Sequence, residues 1–421
     1  MCRRPRSPAG TYPRSSLAIS PEGGASVPRQ LAALFVFCII DTLGFGILIP
    51  LIPYMADRFG IAPQFITPIL GSYSLCQLLA APVWGRLSDR YGRRPILMSS
   101  LAGACLSYVL LGSARSVWWL LASRILAGLM AGNIAAAFAY ASDVSSSEQR
   151  AGALGVVGAA IGIGFTLGQP LGGLLSGQDP ARADFVTPAV VSACLSVLAI
   201  GLVRFVLPES HTAEHRRQHP QGPRRGSLRL LRERPGLARL AVATLAVTYS
   251  QSILESIFAI FALHRYGFGP RTVGFLLFAA AFPALLMQGG AVRVLAPRLG
   301  EARLAMLGVF AYVGGLVILG EAPTLAETLL GLVLCGVGLG AYNPSAFALA
   351  SKQSRGHDRG AVLGAYASSA SLARVIGPFT SGPIFSGLGA AAPFLIGACV
   401  TLPAAFLVRR VPETAREQGA R

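Results

Sequence analysis

Apolar residues in this chain come in long runs, separated by short polar segments where arginine, glycine and proline concentrate. A helix that crosses a bilayer needs about 20 predominantly apolar residues. Twelve runs meet that need, near residues 30–52, 66–85, 95–113, 117–141, 151–175 and 185–207, then 238–263, 272–292, 303–320, 325–350, 361–385 and 390–408. They are rich in Gly, Ala and Ser, which let helix backbones approach closely in lipid. Trp118 and Trp119 open the fourth run, where an interfacial aromatic belt would place them. The pattern predicts an all-α membrane protein of twelve transmembrane helices in two six-helix halves.

The halves look duplicated. Leu295-Ala296-Pro297-Arg298-Leu299-Gly300 stands in the second half where Leu87-Ser88-Asp89-Arg90-Tyr91-Gly92 stands in the first, with Pro297 in place of Asp89. Gly364 and Gly377 likewise match Gly155 and Gly168. Parallel repeats of this kind imply a transporter with its site between the halves, near the midplane. The expected organisation is a disordered cytosolic tail over 1–28, a first half over 29–208, a basic cytosolic linker over 209–236, a second half over 237–410 and a tail over 411–421. A short amphipathic helix is expected in the linker around Ser227–Arg234. Residues 1–28 lack the apolar stretch and cleavage site of a signal peptide.

Composition supports the bilayer: 53% of the 421 residues are apolar and only 13% are charged. The net charge of +18 suggests nucleic acid until its placement is considered. Basic residues sit in short loops without the aromatic interleaving of a nucleic-acid surface, so no nucleic-acid partner is expected. With both termini cytosolic, the inner tails and loops hold 29 Lys and Arg, and the outer loops hold 5: Arg58, Arg115, Arg182, Arg265 and Arg271. The expected location is the cell membrane, plasma or inner, with many passes. Seven scattered cysteines form no Cys-x-x-Cys pair, and six lie in apolar runs, where a thiol behaves as a small hydrophobe. No P-loop, His-Glu-x-x-His or metal cluster supports an enzyme.

Four ionisable residues fall inside runs: Asp41, Arg124, Glu255 and Arg374. A charge at the centre of a membrane helix costs about 2.5–3.5 kcal/mol on insertion scales. Such residues serve either as a proton relay or substrate counter-ion, or as a buried ion pair that sets helix register. From the helical rise, Arg124 and Glu255 lie roughly 24–27 Å from the cytosolic end, Arg374 roughly 21 Å and Asp41 roughly 15–18 Å. Glu255 is therefore expected to meet Arg124 or Arg374, whereas Asp41 lies too shallow for a direct contact with Arg124. Gln77, Asn133, Gln251 and Asn343 are polar groups inside runs that face either a central cavity or a neighbouring helix.

One segment is highly charged: Gly85-Arg86-Leu87-Ser88-Asp89-Arg90-Tyr91-Gly92-Arg93-Arg94-Pro95, read as a turn between the second and third helices. It resembles the corresponding loop of major facilitator transporters, whose pattern is Gly-x-Leu-x-Asp-Arg-x-Gly-Arg-Arg. The resemblance extends from about residue 31 to 408. Asp41 to Pro53 is similar to the opening helix of tetracycline/proton antiporters, and Leu207-Pro208-Glu209-Ser210-His211 to the end of their sixth helix. Gly155, Gly164, Gly168, Pro170, Gly172 and Gly173 resemble a fifth-helix signature of drug/proton antiporters, with Pro170 one place later than the family pattern. Gly132-Asn133, and Leu372-Ala373-Arg374 before Gly377-Pro378, resemble a tetracycline-transporter-like branch found in animals.

The resemblance implies the major facilitator fold and proton-coupled export of small amphipathic compounds, tetracycline-like drugs or organic anions, by alternating access. It needs no cofactor beyond a proton gradient. The partners are a small-molecule substrate, protons and the bilayer, and the chain is expected to be a monomer. Their charge inside the runs assigns Asp41, Arg124, Glu255 and Arg374 to proton coupling, with Glu255 expected to exchange a proton beside an arginine, and the resemblance agrees at Asp41 and Arg124. The resemblance assigns Gly85, Asp89, Arg90, Gly92, Arg93 and Arg94, with Asp143 and Arg150 as a further charge contact, to a cytosolic gate in which Asp89 latches onto the start of the eleventh helix. A proton-coupled metabolite uptake symporter on the same fold, or a non-transporting membrane scaffold, are the alternatives.

Overall fold

The computed structural model describes residues 26–146, 149–210, 227–354 and 358–411. Most of the expected amino-terminal tail, the linker stretch 211–226 and the tail from 412 onward lie outside these residues. Among the described residues there are twelve long helical spans and no strand. The first comprises Ser26–Leu48 and, after a turn at 49–51, Ile52–Arg58. The second is Pro63–Tyr91 and the third Arg93–Gly112. The fourth is split into Val117–Leu129 and Asn133–Asp143, and the fifth and sixth are Arg150–Ser176 and Val186–Val206. The expected linker helix runs from Ser227 to Glu233.

The seventh span is Pro235–Tyr266. The eighth runs from Pro270 to Leu299 through a π-helical turn at Met287–Ala291. The ninth to twelfth are Glu301–Glu321, Leu325–Lys352, Arg359–Leu388 and Ala392–Arg409. Eleven of the twelve are apolar enough to cross a membrane by length and composition. The eleventh is diluted by Ser368, Ser369, Ser371, Arg374 and two prolines, yet it is 30 residues long and helical throughout.

Prolines in the first turn start the second, seventh and eighth spans, where the missing N–H has no helical partner to lose. A capping box between Thr324 and Glu327 starts the tenth. Several helices outrun their apolar runs. The charged segment expected to be a turn is helical through Tyr91, and only Gly92 leaves the helix, at φ +103°. The eighth span likewise continues to Leu299 before Gly300 at φ +80°. Hydropathy stops at the first arginine, whereas a helix of about 30 residues is ~45 Å long and projects beyond a hydrocarbon core of about 30 Å.

The duplication is written in the backbone. Among the described residues every positive-φ position is a glycine, and the six form three pairs between the halves: Gly60 with Gly267, Gly92 with Gly300, and Gly177 with Gly389. Each pair marks the same junction in its half, before or after the second span and at the end of the fifth.

The halves are joined at one end and apart at the other. Ile47, Leu51, Ile66, Tyr108 and Leu120 of the first half form one buried apolar cluster with Ile253, Phe261, Leu276, Tyr312 and Phe394 of the second. At the opposite, arginine-rich end the core divides. Leu34, Phe37, Leu97, Tyr140 and Val203 belong to one cluster, and Leu240, Val309, Leu349, Val362 and Val408 to another. Hydrogen bonds repeat this asymmetry: Tyr54 Oη donates to Phe268 O (2.7 Å), Arg271 N to Gly177 O (3.1 Å) and Gly382 N to Thr67 Oγ1 (2.9 Å), all at the fused end. At the arginine-rich end a Cβ added to Gly85, Gly155, Gly289, Gly360 or Gly364 would meet nothing within 4 Å. A cleft therefore opens between the halves toward the arginine-rich end. The outer faces carry exposed Leu79, Leu106, Trp118, Val197 and Phe205, the surface expected against lipid tails rather than water.

Candidate functional site

At the arginine-rich end, Gly92 lets the second span end and the third begin with no intervening loop. The Glu209 carboxylate fills the space where a side chain at Gly92 would stand, and accepts from the backbone N–H groups of Arg93 (2.8 Å) and Arg94 (3.1 Å). It thus caps the third span and complements its dipole. Glu209 is placed by Leu207, which is buried, and by Tyr140 Oη, which donates to Pro208 O (3.0 Å).

The Arg93 guanidinium is buried and donates to Asp143 Oδ2 (2.9 Å), Asp89 Oδ1 (2.8 Å) and Ser88 Oγ (2.9 Å). One arginine therefore ties the second, third and fourth spans together within the first half. Asp143 is engaged by Arg93, while Arg150 is exposed and pairs with no carboxylate among the described residues. Arg90 lies over the Tyr91 ring, 5.4 Å from its centroid. Gly85 faces open space. The second and eleventh spans meet at the fused end, where Gly71 packs on Pro378 and Phe379, and Gly382 on Pro63 and Thr67.

Deeper in the first half, the fourth span unwinds over 130–132. The break frees the Leu129 carbonyl, and the Trp84 indole N–H of the second span donates to it (2.6 Å). The tight turn requires Gly132, where a Cβ would lie 2.7 Å from the Trp84 ring and 2.9 Å from Ser100 Oγ. Asn133 begins the resumed helix, and its amide donates to the buried carboxylate of Asp41 on the first span. The unbroken fourth helix expected from hydropathy is thus interrupted where Asp41 needs a donor. Trp84 was not legible as a functional residue; an indole N–H inside an apolar run was its one signal, since a buried donor needs an acceptor.

Arg124 is 2% exposed. Among the described residues its one hydrogen bond is a long one, Nε to Ser123 Oγ at 3.4 Å, and Nη2 has no partner. Tyr73 and Tyr108 lie within its electrostatic reach, and Tyr73 also senses Asp41 and Arg374. Tyr73 stacks obliquely on Phe45 (5.2 Å between centroids) and accepts from Gln77 Nε2 (3.4 Å). Arg374 on the eleventh span is exposed. Glu255 accepts from Gln251 Nε2 one turn earlier on its own helix (2.8 Å). The ion pair expected between Glu255 and Arg124 or Arg374 is absent among the described residues. Matched depth does not bring groups together when their helices belong to different halves of an open cleft. Asn343 is half-buried. The site therefore collects Asp41, Asn133, Gln77, Tyr73, Tyr108 and Arg124 in the first half, faced by Arg374, Gln251 and Glu255 in the second.

Glycines of the fifth span set how closely it approaches its neighbours. Gly164, Gly168 and Gly172, spaced by four, press on backbone atoms of the first span at Ile39, Leu43 and Ile47. A Cβ on Gly168 would lie 2.6 Å from Leu43 O, and Gly46 faces it from the other side. Gly173 packs on Pro270 and Arg271 of the eighth span, so it sits in the seam between the halves. Pro170 lies inside a continuous helix, and Gln169, at the position where the family pattern has proline, is buried in that seam with Oε1 unpartnered. Gly155 faces the open cleft, as does its repeat partner Gly364. Gly168 and Gly377 are both pressed against a neighbouring span.

Twelve spans in two related halves, with a cleft between them lined by buried charges, define a membrane transporter architecture. Residues 34–378, and again 240–421, match the profile of the Major Facilitator Superfamily, and the chain belongs to that family. It is 29% identical over 391 residues to the class G tetracycline resistance protein of Vibrio anguillarum, covering 88% of this chain and 95% of that protein. It is 26% identical to the mouse major facilitator superfamily domain-containing protein 10, over 97% of this chain and 99% of that one. The crystal structure of the human organic anion transporter MFSD10 (TETRAN) superposes with a TM-score of 0.69 at 24% identity, covering 91% of this chain and 99% of that one.

Proposed function

We propose that this chain exports small amphipathic compounds, tetracycline-like drugs or organic anions among them, in exchange for protons. The observation that carries the reading is the Arg124 guanidinium, 2% exposed, with Nη2 unpartnered and no carboxylate paired to it among the described residues. A cation buried without a counter-ion is costly, and an anionic group arriving from the cleft compensates it. Tyr73 and Phe45 add flat aromatic surface on the same half for the rest of such a molecule. The similarity to a tetracycline resistance protein and to an organic anion transporter fits that chemistry.

Asp41 is the proton carrier in this reading. Its carboxylate is buried on the same half as Arg124, held by the Asn133 amide, and protonation weakens that hold at the point where the fourth span is already unwound. Glu255, with Gln251 as its donor, and Arg374 form the opposing wall of the cleft, and Glu255 exchanges a second proton. The two halves rock about the fused end, so that the cleft closes at the arginine-rich end and opens opposite. Asp89 then latches the closed state on the start of the eleventh span. The arginine-rich end, with both termini, faces the cytosol of a cell membrane, and the chain works as a monomer.

Drug efflux from cells expressing the chain, with and without a protonophore, tests the reading. Efflux should stop when the gradient collapses, and Asp41→Asn and Arg124→Gln should retain drug although they reach the membrane. Wild-type cells that retain drug as strongly as Asp41→Asn cells would overturn export of drugs, and inverted vesicles loaded with organic anions would then test the anion reading alone.

A further inference from the structure

A crevice lies away from the cleft, on the outer face of the first half. It has a volume of about 650 Å³ and is lined by Arg94, Pro95, Met98, Ser99 and Ala102 of the third span with Ile200 and Arg204 of the sixth. Its mouth is at the arginine-rich end, and exposed apolar residues continue from it along both helices, Leu106 and Val109 on one and Val197 on the other. Two arginines at its head pair with no carboxylate among the described residues. Arg93 next door is satisfied by Asp89 and Asp143, and the N–H groups that open the third span are taken by Glu209. Arg94 is different: its Nη2 donates to the backbone carbonyl of Arg204, its Nε is enclosed without a partner, and no carboxylate pairs with it among the described residues. Arg204 is exposed, lies 5.9 Å from the centroid of Phe205, and is likewise unpaired with any carboxylate among the described residues. Phe205 is 85% exposed, an aromatic placed as at a lipid–water boundary.

We propose that this crevice holds an anionic phospholipid, its headgroup phosphate between Arg94 and Arg204 and one acyl chain along Met98, Ala102 and Ile200. A phosphate diester matches the planar donors of two arginines. The apolar floor below them excludes a free soluble anion as the natural occupant, because such an ion leaves that floor uncovered. A bound lipid would staple the third span to the sixth where Arg94 already bridges them. The site is independent of what the central cleft carries, so its test does not depend on transport.

Native mass spectrometry of the full chain, released from bilayers of phosphatidylglycerol and phosphatidylcholine with matched acyl chains, reads the site directly. Wild type should retain phosphatidylglycerol in preference to phosphatidylcholine. Arg204→Gln should lower that preference about fivefold, the ratio given by about 1 kcal/mol per arginine near an anionic surface. Ala102→Trp should remove the adduct by filling the crevice, while Arg115→Gln at the fused end leaves it unchanged. Inorganic phosphate in excess should not displace the lipid. Equal retention of the two lipids, an unchanged preference in Arg204→Gln, or displacement by phosphate alone would each overturn the proposal.

Discussion

Replacing Arg93 by alanine is expected to destabilise the first half by about 3 kcal/mol. The lost side chain holds Asp143 at 2.9 Å and Asp89 at 2.8 Å, with Ser88 Oγ at 2.9 Å. Counting each bond to a charged group at about 1.5–3 kcal/mol would suggest up to ~9 kcal/mol. That sum overshoots, because the abandoned carboxylates recover some water. Asp89 is 24% exposed and Asp143 15%, against 9% for Arg93, so the loss belongs at the lower end of the ~3–5 kcal/mol range for breaking a buried pair. Thermal unfolding of the purified protein measures the effect. Double-mutant cycles should show stronger coupling of Arg93 to Asp143 than to the more exposed Asp89. Arg93→Lys should recover only part of the loss, since a point ammonium cannot present the fork that reaches both carboxylates. If Arg93→Ala melts with wild type, or lysine restores stability fully, the brace across three spans is not what holds this end together.

Three further outcomes follow from the geometry. Asp89→Asn keeps an oxygen for Arg93 and should fold, but it should transport poorly if Asp89 latches the closed state; normal transport would remove it from the gate. Trp84→Phe removes the donor to the Leu129 carbonyl in the broken fourth span and should cost about 0.5–1.5 kcal/mol of stability, with an unchanged melting curve counting against the indole as its cap. Asp184 accepts from Val186 N (2.8 Å), Thr187 N (3.2 Å) and Thr187 Oγ1 (2.5 Å) at the start of the sixth span. Slight burial pushes its carboxyl up, but the bonds from Thr187 and Val186 outweigh this and hold it below the usual carboxylate range. Its stabilisation, about 1 kcal/mol as a helix cap, is therefore present above the usual carboxylate pKa and lost as pH falls through the depressed value. The gap in melting temperature between wild type and Asp184→Ala should close in acid; a gap that persists would show that the cap does not act through its charge.

The hydrophobic pattern alone was enough for the class of fold, because twelve apolar runs of bilayer length admit few architectures. It carried the duplication as well: Gly92 and Gly300 sit at equivalent junctions because a helix that must end without a loop needs a residue free to take positive φ. The fifth-span glycines were legible for a related reason, since spacing by four places small residues on one helix face. Helix ends were less legible, for arginines that stop a hydropathy run do not stop a helix, and Tyr91 and Leu299 lie beyond the apolar segments.

Tertiary structure alone decided who pairs with whom. Nothing local says that Glu209, over a hundred residues away, caps the third span, that Arg93 rather than Arg150 takes Asp143, or that Trp84 seals the break in the fourth span. Nor does sequence depth reveal that Glu255 turns to Gln251 while Nη2 of Arg124 stays unpartnered. Membrane helices reveal their length and their small-residue faces because those follow from the solvent and from helical period. Rotation about each axis, and the separation of the halves at one end, depend on packing among all twelve, and that is where the buried charges acquire or lose their partners.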